Sequence, residues 1–107
     1  MVLEVFYVPC PDAGAAGNLV AHLLAKKLIA CGNVVTAKSL YTWEGAMVSE
    51  NEYVAVMKSI PALAVIIESE VKAVHPYSVP AVIHWQANCN KEYFEWLVEQ
   101  LKEQNAY

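Results

Sequence analysis

Two long runs of β-branched and aromatic residues, 34–43 and 50–59, follow one another, and Glu44-Gly45 and Ser49 supply the turn-forming residues between them. In the first run Ser39, Tyr41 and Trp43 alternate onto one face. In the second, Tyr53, Ala55 and Met57 oppose Val54 and Val56. Alternation with period two is strand geometry, and a hairpin is the natural link. Strands this long exceed what one helix layer covers in a chain of 107 residues, so their far ends are expected to project and pair elsewhere.

The rest of the chain fits around this hairpin. Residues 2–8 read as a central strand, stopped by Pro9-Cys10-Pro11, with Asp12 placed as an N-cap. From Ala13 to about Ala30 the spacing of Val20, Leu24, Leu28 and Cys31, widened by Leu19 and Leu23, predicts a helix; Gly32-Asn33 is its expected stop. Pro61 opens a second helix whose buried stripe is Leu63, Ile67, Val71 and Val74, ending near His75. Pro76 and Pro80 bracket a rigid turn before a short strand over 81–86. Asn88 or Asn90 then caps a last helix presenting Phe94, Leu97 and Leu101. The order is β-α-β-β-α-β plus a C-terminal helix: an α+β, ferredoxin-like split βαβ arrangement with a long central hairpin. Residues 1–107 are expected to form a single domain.

Hydrophobic residues make up 57% of the chain. That is high for a surface that must stay wet, and it favours apolar surface covered by a partner. The net charge is −4, with seven lysines and no arginine. Nucleic-acid binding is not expected, because that class needs a dense cationic footprint. No apolar stretch is long enough to span a membrane, and the apolar N-terminus lacks a preceding basic segment. Cys10, Cys31 and Cys89 form neither a disulfide framework nor a CxxC clamp; reduced thiols in a cytoplasmic protein are the expectation.

Two motifs carry functional content. Ser39-Leu40-Tyr41-Thr42-Trp43-Glu44-Gly45 puts amphipathic rings in one row, which suits a subunit or ligand interface; a simple aromatic ladder is the alternative. In His75-Pro76-Tyr77-Ser78-Val79-Pro80, proline holds His75 extended at a helix end. There its ring serves as a metal ligand, a polar anchor, or a helix C-terminal histidine.

Residues 39–45, Lys58, the His75-Pro76-Tyr77 turn with Val79-Pro80, Tyr93 with Trp96-Leu97, and Leu28-Ile29-Ala30-Cys31 together resemble the pattern of the divalent-cation-tolerance (CutA) family. The resemblance spans nearly the whole chain in order. It implies a homotrimer similar to the P-II signalling proteins, and a role linked to copper and other divalent cations without a known catalytic cycle. It also implies an inter-subunit cleft, matched here by Tyr41, Trp43, Lys58, His75, Tyr77 and Trp96. His75 is the matched candidate metal ligand, with Cys10 a second candidate if its loop folds back. The chain departs from the pattern at Ala81, Val8 and Val74, where the family often carries glutamate, cysteine and histidine. Weak copper binding, completed by water or a neighbouring subunit, is the expectation.

The leading function is therefore a non-enzymatic trimeric sensor or binding protein. The alternatives are a structural oligomer without a metal site, and an enzyme acting in the cleft. Neither a nucleophile–base pair nor a phosphate-cradling glycine loop, HExxH or paired-carboxylate motif is evident for the last of these.

Overall fold

The computed structural model describes residues 1–102. Four strands, β1 (Val2–Cys10), β2 (Cys31–Trp43), β3 (Ala46–Ser59) and β4 (Ile83–Asn88), form one antiparallel sheet in the order β2-β3-β1-β4. Helix α1 (Ala13–Ala25) links β1 to β2. A 3-10 turn (Pro61–Leu63) and α2 (Ala64–Val74) follow β3, and α3 (Lys91–Glu99) follows β4. This is the split βαβ order read from the sequence, with the extra helix at the end.

Phe6, Val8 and Cys10 of β1 and Ala55 and Met57 of β3 are fully buried and alternate onto the same face. They form one core with Ala16, Leu19 and Leu23 of α1 and Ile67 and Val71 of α2. Leu24 and Val74, expected in the buried stripes, are exposed instead, because each helix turns it past the edge of that contact.

Several boundaries differ from the sequence reading, each for a local reason. Helix α1 stops at Ala25, five residues early, where Lys27 takes a left-handed φ of 56°. The apolar run continues because Leu28, Ile29 and Ala30 are buried in the helix–strand connection. Ser59 Oγ donates to the Leu28 carbonyl at 2.6 Å, and the Ala30 amide to the Lys58 carbonyl at 2.9 Å. Cys31 therefore opens β2 rather than closing a helix, and Gly32 is strand, not a helix stop. Strand β1 continues through Pro9 to Cys10, because β4 ends its pairing at Tyr7 and no ladder donor is needed beyond it on that side. The hairpin turn is only Glu44-Gly45, with φ of 49° and 80°. Positive φ at both positions matches the strand twist, so β3 begins at Ala46 and Ser49 lies within it. Strand β4 is shifted to Ile83–Asn88 because its pairing starts at Ile83 opposite Tyr7, and Asn90 takes the N-cap of α3.

Gly32 faces α1 at very close range. A Cβ there would sit 2.7 and 2.8 Å from the two Cγ atoms of Val20. Gly32→Ala is expected to cost about 1–3 kcal/mol through forced repacking. Urea unfolding measures the loss, and Val20→Ala in the same chain should recover much of it.

Strand β1 pairs with β3 only from Tyr53 to Ser59. The remainder of β3 pairs with β2 alone, so residues 37–52 form a two-stranded arm. Its effect on shape is measurable. The Cα radius of gyration is 14.6 Å, against about 13 Å for a compact chain of this length.

Candidate functional site

Along one face of the arm a cleft of about 1180 Å³ opens between β2, β3 and the loop that follows α2. Tyr41 and Trp43 reach it from β2, and Glu50 and Glu52 from β3. Register explains this grouping, since Tyr41 lies opposite Val48 and Ser39 opposite Glu50, putting the two rows on one face. Tyr77 and Val79 close the other side.

His75 builds that second wall. Proline at the next position ends α2, and His75 adopts an extended φ/ψ of −71° and 139° while its amide closes the last helical turn on Val71. Its Nδ1 accepts from the Tyr77 amide at 3.0 Å, and its Nε2 meets the Pro9 carbonyl at 2.8 Å. A backbone amide only donates and a carbonyl only accepts, so the network assigns the proton to Nε2. The ring thus pins the turn to the end of β1, and lies tilted against Tyr77 with centroids 4.8 Å apart.

Each carboxylate in the cleft is held by a phenol. The Tyr77 hydroxyl donates to Glu52 Oε2 at 3.0 Å, and the Tyr41 hydroxyl to Glu50 Oε1 at 2.7 Å. Burial, the Glu52 hydrogen bond and the nearby charges of Glu52 and Glu50 push the Tyr77 phenol up to about 12. The hydrogen bond to Glu50 raises Tyr41 likewise. Both phenols therefore stay protonated and keep donating at neutral pH.

Lys58 and Trp96, expected in the same cleft, lie apart from it within one subunit. Lys58 is six residues along β3 from Glu52, roughly 20 Å of strand. Its ammonium donates to Asn33 Oδ1 at 3.2 Å and lies 3.6 Å from Cys31 Sγ. The Tyr93 hydroxyl sits 3.4 Å from the same sulfur, and the Trp96 ring leans on Tyr93 with centroids 5.7 Å apart. Burial, followed by the interaction with Cys31, pushes the Tyr93 phenol upward. Sequence reading passed over Glu50, Asn33 and the Tyr93–Cys31 contact. The i,i+2 spacing of Glu50 and Glu52 was the available signal for the first.

The candidate metal donors serve the fold. His75 uses both ring nitrogens in the bonds above. Cys10 is fully buried, directs its thiol to the Val8 carbonyl at 3.6 Å, and is raised to about 11 by burial, then by Glu52 and Asp12. Metal ligation needs a free imidazole lone pair and a thiolate, so these two residues do not fit a preformed cation site. Among the described residues, no group of three or more His, Cys, Asp or Glu side chains is arranged to hold a metal ion.

Comparison with known proteins places this architecture. The family model described as CutA1 divalent ion tolerance protein matches residues 4–100. The divalent-cation tolerance protein CutA of Pyrococcus horikoshii is 34% identical over 99 residues, covering 92% of this chain and 97% of that one. The crystal structure of CutA1 from Oryza sativa superposes with a TM-score of 0.91 at 33% identity, covering 96% of each chain. A structure from Archaeoglobus fulgidus, described as the periplasmic divalent cation tolerance protein CutA, gives a TM-score of 0.89 at 29% identity, with coverage of 94% and 99%.

Proposed function

This chain belongs to the CutA1 divalent ion tolerance family, and we propose that it works as a non-enzymatic homotrimer, a P-II-like binding module in the response to copper and other divalent cations. One observation carries the assembly. The sheet face turned away from α1 and α2 leaves apolar side chains uncovered, Val35 and Trp43 on β2 and Ile83 and Trp85 on β4. Both outer strands also leave one edge unpaired within the subunit. A closed ring of three copies removes such edges and covers the face, while an exposed monomer would invite open-ended association. In that ring Lys58 and Trp96 of one subunit would complete the cleft formed by Tyr41, Trp43 and Tyr77 of another.

Because His75 and Cys10 are otherwise engaged, the cation link is proposed to act through the assembly rather than through a tight resident site at those residues. The three free thiols suit a reducing compartment, which supports the cytoplasm as the working location. No helix among the described residues is long and apolar enough to cross a membrane. Sedimentation equilibrium at micromolar concentration tests the central claim. The expected mass is three times that of the chain; a stable monomer would remove the reading.

A further inference from the structure

We propose that His84, oriented by the buried carboxylate of Glu4, anchors a site for a divalent transition metal of the copper or zinc class, bound through Nε2. The site goes beyond the assembly and does not rest on it. Glu4 alternates with the core residues Phe6 and Val8 along β1, and His84 is paired opposite Phe6, so both stand on the side of the sheet that carries α1 and α2. Ile83 and Trp85 of the same strand point to the other face, the one the proposed ring covers. Edge pairing in such a ring engages the β4 backbone, not the side chains on the α1 and α2 side.

Glu4 is 5% exposed, and its two oxygens are treated differently. Oε2 accepts from His84 Nδ1, while Oε1 is buried with no partner among the described residues. A carboxylate only accepts, so the proton of the neutral ring sits on Nδ1 and the lone pair is left on Nε2. The ring also lies against the fully buried Phe6, with centroids 5.1 Å apart and 27° between planes. Hydrogen bond and stacking together fix its orientation. No hydrogen bond or ion pair among the described residues engages Nε2, and the His84 side chain is 34% exposed.

A carboxylate that takes Nδ1–H and leaves Nε2 to a cation is the arrangement metal-bound histidines use; it sets the tautomer and makes the free nitrogen more basic. It also accounts for a carboxylate in a place where packing alone disfavours one. A buried, half-satisfied carboxylate is costly. A cation held on the far nitrogen of the ring strengthens the Nδ1–H bond and brings positive charge towards it, which offsets that cost. His75 differs, because both of its nitrogens are committed to backbone groups. Gln86 and Asn88 follow His84 on the same strand face and are exposed, so amide oxygens and water complete the ligand set. With one imidazole the site is exchangeable, not a closed structural one. Imidazole suits copper and zinc, whereas calcium, which takes six or more oxygens, finds only neutral amides beside it.

The test uses NMR of the full chain, first without metal. The ring nitrogens of His84 should report the Nδ1–H tautomer in wild type and lose that preference in Glu4→Leu. Copper(II) added well below one equivalent should then broaden the amides around His84, with zinc competing and calcium not. His84→Ala should abolish that broadening, and Glu4→Leu should weaken copper about tenfold or more. Glu4→Gln keeps an acceptor for Nδ1–H but removes the charge; it should weaken copper by several-fold, and it supplies the comparison if the leucine variant does not fold. His22→Ala, which removes another surface imidazole, should leave the His84 signals and their broadening unchanged. An Nε2–H tautomer in wild type, broadening centred elsewhere, or copper binding indifferent to the Glu4 variants would overturn the inference; the last would mark His84 as an adventitious surface ligand. Light scattering on the same samples keeps the two readings apart. Copper at His84 of a monomer would retain the inference and remove the assembly, while an intact trimer with no copper at His84 would do the reverse.

Discussion

Trp85→Glu is expected to dissociate the proposed trimer while leaving the subunit folded. Trp85 sits on β4 opposite Val5, on the sheet face turned away from α1 and α2, and is 46% exposed within one subunit. Ile83 stands beside it on the same strand face and is also exposed. A carboxylate at position 85 of the isolated subunit would remain in water and cost little. Covered by a neighbouring copy, the same carboxylate would be desolvated without a partner, and an aromatic anchor would be lost as well. Together these should weaken each interface by about 2 kcal/mol or more, and a closed ring carries the defect at every contact. Sedimentation should then show the single-chain mass, with far-UV circular dichroism unchanged. Thermal unfolding should occur at lower temperature, because association no longer stabilises the folded state. Val65→Glu is the control: Val65 is 80% exposed on α2, outside the sheet face, and should leave mass and unfolding unaltered. An intact trimer in Trp85→Glu would show that β4 lies outside the interface.

The sequence disclosed the sheet more readily than the ends of its elements. Alternation through residues 39–43 and 53–57 identifies strands because a pleated strand sends neighbours to opposite faces. It says nothing about a connection that is itself buried. Leu28-Ile29-Ala30 continued the helical pattern while being packed beneath the Ser59 hydroxyl, a contact across 31 residues. Ser49 resembled a turn residue, but the turn was decided by Glu44 and Gly45 both accepting positive φ. The candidate site divides in the same way. Tyr41, Trp43 and Tyr77 were legible as a group of rings near a rigid turn, and they line one cleft. The partner of Lys58 was not legible. It depends on the register that sets Cys31 against Lys58 and so brings Asn33 within reach. Nor could spacing reveal that the His75 ring reaches the carbonyl of Pro9, 66 positions earlier.

That last contact makes the second large effect predictable. His75→Ala is expected to destabilise the metal-free protein by about 2–4 kcal/mol, because it leaves two half-buried backbone groups without their partners and removes a buried ring. The Pro9 carbonyl loses its donor and the Tyr77 amide loses its acceptor, while the ring itself, 9% exposed, leaves a void. For a chain of this size the loss corresponds to a fall in Tm of roughly 10 °C or more. The loop carrying Tyr77 and Val79 would loosen with it, so the wall of the cleft would be less well defined. A histidine serving chiefly as a metal ligand predicts a different pattern. Its removal would matter when copper is present and would change little in the presence of a chelator. Thermal unfolding of wild type and His75→Ala, each with chelator and with stoichiometric copper, separates the two. The expected result is the same Tm difference in both conditions, with copper bound weakly by either protein. Cys10→Ala should follow the same rule, because its buried thiol is raised to about 11 and presents little thiolate at neutral pH. A difference that vanishes with chelator, or tight stoichiometric copper binding lost in both variants, would return His75 and Cys10 to the role of metal ligands.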